Sequence, residues 1–192
     1  MDTARLELIS FELLLKKERW AIYFILATKH PTEKGKYILT IVPDTGTIPL
    51  RKLADNKFSF RPEGVGADGF SIIETEIERN ETTRAHMYMM HSRSGVRKFG
   101  EILGEIKDEI IKDGTLISSI TNIAASKSPQ WILIDKGFDF IQNILKNTKD
   151  RNLGLVSLDD DFGKEFDKNL YQERSNTLST GNAKITWSWS IR

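Results

Sequence analysis

Three basic side chains stand close together in the middle of the sequence and could bind an anion. Arg93, Arg97 and Lys98 lie within one short stretch, next to His91. They precede a segment with helical periodicity, and the N–H groups at the start of a helix attract negative charge. We therefore take Arg93, Arg97 and Lys98 as candidate binding residues, the alternative being basic residues on a solvated helix face.

No other residues predict catalysis or metal binding. His86 and His91 are five positions apart on a predicted strand, so their side chains point to opposite faces, and His30 is remote from both. The acidic run Asp159-Asp160-Asp161 could bind a divalent ion or form a solvated loop. The sequence holds no phosphate-binding loop and no nucleophile elbow. We expect no catalytic residue, no metal site and no cofactor.

Composition limits the class of protein. The chain has 192 residues, 28 Lys and Arg against 27 Asp and Glu, and no cysteine. This length suits a single domain over residues 1–192, and the balanced charge gives no reason to expect a nucleic-acid partner.

No apolar stretch reaches the ~18–20 residues that span a bilayer, and the first residues lack the features of a signal peptide. The default expectation is a soluble, cytoplasmic protein, with secretion left open.

The first 95 residues have the periodicity of β-strands. Leu6 and Leu8 alternate with polar residues, and the alternation resumes out of phase at Phe11 and Leu13, which predicts a β-bulge. Residues 20–27 are apolar on both faces, as in a strand covered on both sides, although a helix over 11–28 is an alternative. Further strands are predicted at Tyr37–Val42 and Lys57–Phe60, and a hairpin at Phe70–Glu78 with Thr83–His91.

The periodicity changes to helical after Gly95. Apolar residues recur at helical spacing from Val96 to Ile110, and the pattern ends at Asp113-Gly114. Residues 115–121 fit either a second, weaker helix or a strand. Ser128-Pro129 has the signature of a helix start, which predicts a third helix reaching about Asn147.

The strand pattern returns after Asp150. Leu153–Leu158 is one candidate, and Asp159–Thr180 is polar and predicted to be mostly loop. In Ala183–Arg192, Trp187 and Trp189 fall on one face, so this strand must pack against another layer.

The order of elements indicates the fold class. Strands precede and follow about fifty helical residues, and the tryptophan-rich last strand needs partners from the start of the chain. We predict a mainly β protein with α: an antiparallel β-sandwich of about eight strands formed by residues 1–95 and 150–192. A helical insertion at about 96–147 precedes the last two strands.

The C-terminal segment resembles the calcium- and lipid-binding sandwich domains of the synaptotagmin and protein kinase C type. Asp150 is followed by an alternating strand containing Gly154, and Gly181 precedes the closing strand. The resemblance implies an antiparallel sandwich that binds membrane surfaces. Calcium sites of that family need several aspartates from two loops, whereas Asn147-Thr148-Lys149 precedes Asp150, so we expect no calcium site and assign Asp150 to a turn.

A second resemblance is to the GCN5-related N-acetyltransferases. It rests on Ser94-Gly95-Val96, the helix up to Gly114, the segment Thr115–Thr121 and Lys136-Gly137-Phe138. It implies acetyl-CoA bound at the helix start, and Thr115–Thr121 as a strand parallel to Thr83–His91. The family's loop is incomplete here, since Arg97 or Lys98 occupies the place of a small residue.

We accordingly expect a non-catalytic module that binds a protein or a membrane surface without calcium. The helical insertion would be the recognition element if its apolar face is available, whereas the alternative is that the helices pack on the sheet. The alternative function is an acetyl-CoA-dependent N-acetyltransferase.

Overall fold

A computed structural model describes residues 2–14, 19–30, 33–43, 45–60, 70–77, 82–114, 119–121, 131–163 and 171–191. The described strands are β1 (Asp2–Leu13), β2 (Ala21–Lys29), β3 (Tyr37–Val42), β4 (Ile48–Pro49), β5 (Lys57–Ser59), β6 (Phe70–Ile77), β7 (Thr82–Thr83), β8 (Ala85–His91), β9 (Ser119–Thr121), β10 (Trp131–Ile134), β11 (Arg151–Ser157), β12 (Asp160–Asp161), β13 (Tyr171–Thr177) and β14 (Ala183–Ile191). The described α-helices are α1 (Phe99–Lys112) and α2 (Phe138–Asn147). The protein is therefore mainly β with α, as predicted.

The first sheet joins the two ends of the chain. Its strands lie in the order β13-β14-β1, and β5 and β6 share the other side of β1. The antiparallel register of β1 and β14 pairs Ala4 with Ile191 and shifts between Leu8 and Ser10. The bulge predicted from the phase slip is thus confirmed, because it keeps both Leu8 and Phe11 in the core.

The second sheet has the strand order β11-β8-β2-β3-β10-β9, with β4 beside the start of β2. All described strand pairs in both sheets are antiparallel. Residues 21–28 of β2 are all buried, which confirms the strand predicted to be covered on both faces.

The two sheets share one hydrophobic cluster. Phe11 of the first sheet and Phe24 of the second have ring centroids 5.1 Å apart. Trp187 and Trp189 lie in the same cluster, and Trp189 donates an indole N–H bond of 2.8 Å to the Leu158 carbonyl. The tryptophan face of the last strand is therefore buried in the core between the two sheets, as its pattern required.

The other face of the second sheet is covered by the helices. Ile106 and Ile110 of α1 and Ile141 and Leu145 of α2 lie in one cluster with Tyr23 of β2. Of the two alternatives for the helices, packing on the sheet is the one observed. No described helix combines the length and the apolar character needed to cross a bilayer.

The predicted hairpin of residues 70–78 and 83–91 is wrong. β6 pairs with β1 in the first sheet, whereas β8 lies between β2 and β11 in the second. Alternation of apolar residues identifies the buried face of a strand but not the sheet that it joins, and this is why sequence proximity was misleading here.

The segment predicted as a helical insertion contains strands as well. β9 and β10 pair with each other, and β10 continues the second sheet beside β3. The helix predicted from Ser128 begins only at Phe138, because Trp131–Ile134 is a strand, and Ser128-Pro129 itself lies outside the described residues. The acetyltransferase alternative predicts Thr115–Thr121 as a strand parallel to β8. The described part of it, Ser119–Thr121, instead pairs antiparallel with β10 and is not next to β8.

The described parts of the polar stretch 159–180, which was predicted to be mostly loop, include two strands. These are β12 and β13, and β13 pairs with β14 along its whole length. Its side chains from Glu173 to Thr177 are mostly exposed, so they show no apolar alternation. An edge strand held by backbone hydrogen bonds has a weak sequence signal for this reason.

Candidate functional site

The three predicted binding residues lie in the connection between β8 and α1, which we call the 93–98 loop. The structure separates their side chains. Arg93 and Lys98 are exposed, whereas the side chain of Arg97 is only 10% exposed. Two of the three are therefore available to a partner, and the third is directed into the protein.

Arg97 is engaged by two carboxylates. Its guanidinium forms ion pairs with Glu105 at 2.5 Å and with Asp150, whose side chain is 1% exposed. The same group lies 5.8 Å from the centroid of the Tyr23 ring. Since its charge is already compensated within the protein, we assign Arg97 a positioning role, and its binding of an external anion stays a prediction.

Asp150 is the residue at the centre of this arrangement. Its carboxylate accepts hydrogen bonds from the Tyr23 hydroxyl at 2.7 Å and from the Arg93 backbone N–H at 3.0 Å, besides the bond from Arg97. Sequence reasoning assigned it to a turn, because its partners are far away along the chain. The only local signal is a carboxylate placed directly before an apolar strand.

Burial and charge shift two pKa values in this cluster. Burial raises the pKa of Tyr23, so its hydroxyl stays protonated and donates to Asp150. Burial also raises the pKa of Glu105, but bonds from the Arg97 side chain and the Lys149 backbone outweigh it and the net direction is down. The Tyr23 phenol is therefore protonated and the Glu105 carboxyl is ionised beside the Arg97 guanidinium.

Backbone contacts fix the far end of the 93–98 loop. The Arg97 N–H donates to the Thr47 hydroxyl at 2.8 Å, and the Thr47 N–H donates to the Arg97 carbonyl at 3.0 Å. Gly46, with φ +102°, lies so close that a Cβ atom there would meet the Arg97 carbonyl. The loop is thus held at Arg93 and at Arg97 by different parts of the chain.

The residues between these two points form an exposed tip. Ser94, Gly95 and Val96 are exposed, and Val96 keeps 63% of its surface in solvent. The predicted helix start at Val96 is wrong, because Lys98 is extended and its carbonyl accepts the first bonds of α1. A large apolar side chain therefore stands in water between the exposed Arg93 and Lys98.

More cations surround the tip at the same end of the second sheet. This end is where β2 and β11 begin and β8 finishes, and we call it the basic end. Its exposed cations are Arg19, Arg51, Lys52, Arg93, Lys98, Lys149 and Arg151. Among the described residues, the exposed carboxylates nearest to them along the chain are Asp55 and Glu101. Among the described residues, exposed cations therefore outnumber exposed carboxylates at the basic end, although the whole chain is nearly neutral.

His91 lies within the basic end. It is opposite Arg151 in the register of β8 and β11, and its ring stacks on Trp20 with centroids 4.7 Å apart. Burial, then the charge of Arg151, then that of Arg93 lower the pKa of His91. The imidazole is accordingly neutral near pH 7.

The other candidates from the sequence have structural partners. His86 stacks on Phe138 with centroids 3.9 Å apart and is far from His91 along β8. Asp160 pairs with Arg174, and Asp159 accepts the Ala85 N–H at 2.8 Å. No group of three or more His, Asp or Glu side chains suited to a metal ion occurs in the part of the chain that the structure describes.

Neither a protein-family model nor a curated protein matches this sequence.

Proposed function

We propose that this chain is a non-catalytic module that binds anionic membrane surfaces without calcium through the basic end. One observation carries the proposal: Val96 is 63% exposed at the tip of a held loop, with exposed Arg93 and Lys98 on either side. An apolar side chain that enters the interface, together with basic groups that contact phosphates, is the usual combination for reversible membrane attachment.

The proposal includes the finer description of the fold. We take the two facing sheets as a β-sandwich of the lipid-binding-domain type, and all 192 residues as one domain. The shared cluster between the sheets supports this. Nine of the described strands span four or more residues, which is close to the expected eight. Under this proposal the recognition element is the 93–98 loop, since the apolar faces of α1 and α2 are packed on the sheet.

The contacts of Asp150 support calcium independence. Both of its carboxylate oxygens already accept hydrogen bonds, from Tyr23, Arg93 and Arg97. A calcium ion takes six to eight oxygen ligands, and it would have to displace the Arg97 guanidinium to reach these two. No specific observation favours the acetyltransferase alternative, so we do not propose it.

The double substitution Arg93→Ala with Lys98→Ala tests the proposal. Each basic residue near an anionic surface contributes about 1 kcal/mol, so losing two should weaken binding about thirtyfold. The measurement is co-sedimentation with vesicles of phosphatidylglycerol and phosphatidylcholine, with calcium or with a chelator. We expect wild-type binding in both conditions and none to pure phosphatidylcholine.

The matched control is Lys29→Ala with Lys34→Ala. Both lysines are exposed and lie at the far end of β2, ~26 Å from its start at about 3.3 Å per residue. The two substitutions remove the same charge as the test variant, but from the opposite end of the sheet, and should change the affinity for the vesicles less than threefold. Equal losses in the two double variants would show an unspecific charge effect, and a wild-type chain that stays in the supernatant would refute membrane binding.

A further inference from the structure

The position of His91 suggests how binding at the basic end is regulated. The side chain is half-buried at the last position of β8, with Arg151 opposite it and Arg93 two residues further along the chain. On its other side, β2 pairs Ile22 with it, and Trp20 stacks on its ring. The charged groups that act on His91 among the described residues are thus both arginines.

This arrangement makes protonation of His91 unfavourable in the unbound protein. A charged imidazole would be repelled by the charges of Arg151 and Arg93 and would lose hydration through burial. An anionic surface that contacts Arg93 and Arg151 removes most of their repulsion and attracts the new charge itself. Protonation is therefore easier in the bound state than in the free state.

We propose that His91 makes membrane binding by the basic end pH-dependent, so that the affinity for anionic lipid rises as the solution becomes acidic. This inference rests on the proposed function and adds its regulation.

Thermodynamic linkage determines whether the affinity rises or falls with pH. The pKa of His91 is below its ordinary value in the free protein, and neutralisation of the two arginines moves it back up on binding. Between these two pKa values the bound protein carries one more proton than the free protein. Affinity therefore increases as the pH falls through the bound-state pKa, and the increase is complete below the free-state pKa. One added charge near the surface corresponds to about a fivefold gain.

The experiment measures partition of the full chain onto vesicles of phosphatidylglycerol and phosphatidylcholine at about pH 7.5 and about pH 5.5, the range in which histidine titrates. Phosphatidylglycerol is the anionic lipid because its phosphate keeps its charge over this range. We expect the wild type to bind about fivefold more tightly at the lower pH. His91→Gln, which cannot take up the proton, should bind no more tightly at the lower pH than it does itself at the higher pH. Circular dichroism at both pH values checks that each variant is folded.

His86→Gln is the matched control. It removes a histidine from the other end of the same strand and should keep the fivefold gain. Titration calorimetry with the same vesicles at about pH 6.5, in buffers of different ionisation enthalpy, gives a second readout. The wild type should take up protons on binding and His91→Gln should not, a difference that a merely structural role would not produce.

The outcomes separate the two proposals. A wild type that binds anionic vesicles equally at both pH values, or a His91→Gln variant with an undiminished gain, would overturn the inference and leave the proposed function intact. Absence of binding at both pH values would overturn both.

Discussion

Replacing Asp150 by alanine should destabilise the protein by about 3–5 kcal/mol. The substitution leaves Arg97, 10% exposed, with Glu105 as its remaining carboxylate partner, and it removes the acceptor for the buried Tyr23 hydroxyl. It also breaks the bond that holds the Arg93 N–H. Removing one partner of a buried ion pair lowers the stability by more than the pair itself contributes, because the other charge stays buried with less compensation.

Urea denaturation followed by fluorescence measures the effect. The control is Glu33→Ala, which removes a carboxylate 46% exposed and paired with Lys36 and His30, and exposed pairs contribute about 0–1 kcal/mol. Asp150→Asn should fall between the two, since its amide oxygen still accepts from Tyr23. If Asp150→Ala cost no more than Glu33→Ala, the assignment of Asp150 as the centre of the cluster would be wrong.

Gly46→Ala should cost roughly 3 kcal/mol for two independent reasons. Its φ of +102° is a conformation that alanine adopts only with strain, and the new Cβ would lie 2.9 Å from the Phe99 nitrogen besides meeting the Arg97 carbonyl. Both contacts are with backbone, so no rotation of a side chain can relieve them. The neighbouring Thr47 bonds to Arg97 would be lost as the loop moves away.

Gly104→Ala is the matched control for this substitution. Gly104 lies within α1, has no positive φ, and a Cβ there would meet no atom within 4 Å. Because alanine is the better helix former, the control should be neutral or more stable by about 0.5–1 kcal/mol. Thermal unfolding of the two variants side by side gives the comparison, and a Gly46→Ala melting temperature at or above that of the wild type would show that the close approach is not needed.

The fold was predictable where side-chain periodicity alone determines it. The bulge of β1 follows from the phase slip between Leu8 and Phe11, and the buried face of β14 follows from Trp187 and Trp189. Prediction was wrong where an element depends on its neighbours. β6 and β8 have the pattern of a hairpin but join different sheets, and β13 has almost no apolar pattern because its side chains from Glu173 to Thr177 are mostly exposed.

The candidate site was predictable only in its position along the chain. Arg93, Arg97 and Lys98 are correctly placed before a helix, but Arg97 is buried against Asp150, which lies 53 residues from it along the chain. No local pattern shows which of several arginines will meet a buried carboxylate. The same holds for Val96, which fits the helical spacing but lies before the first turn of α1 and so remains exposed.

The absence of cysteine from the chain allows a direct test of the central claim, that the tip of the 93–98 loop enters the membrane surface. Val96→Cys introduces a single thiol, which can carry an environment-sensitive fluorophore. On addition of phosphatidylglycerol vesicles we predict a blue-shifted, brighter emission that a nitroxide lipid quenches, whereas the same label at Ile111→Cys, 51% exposed on α1, should not respond. A label at residue 96 that stays in water while the protein co-sediments with the vesicles would contradict the account.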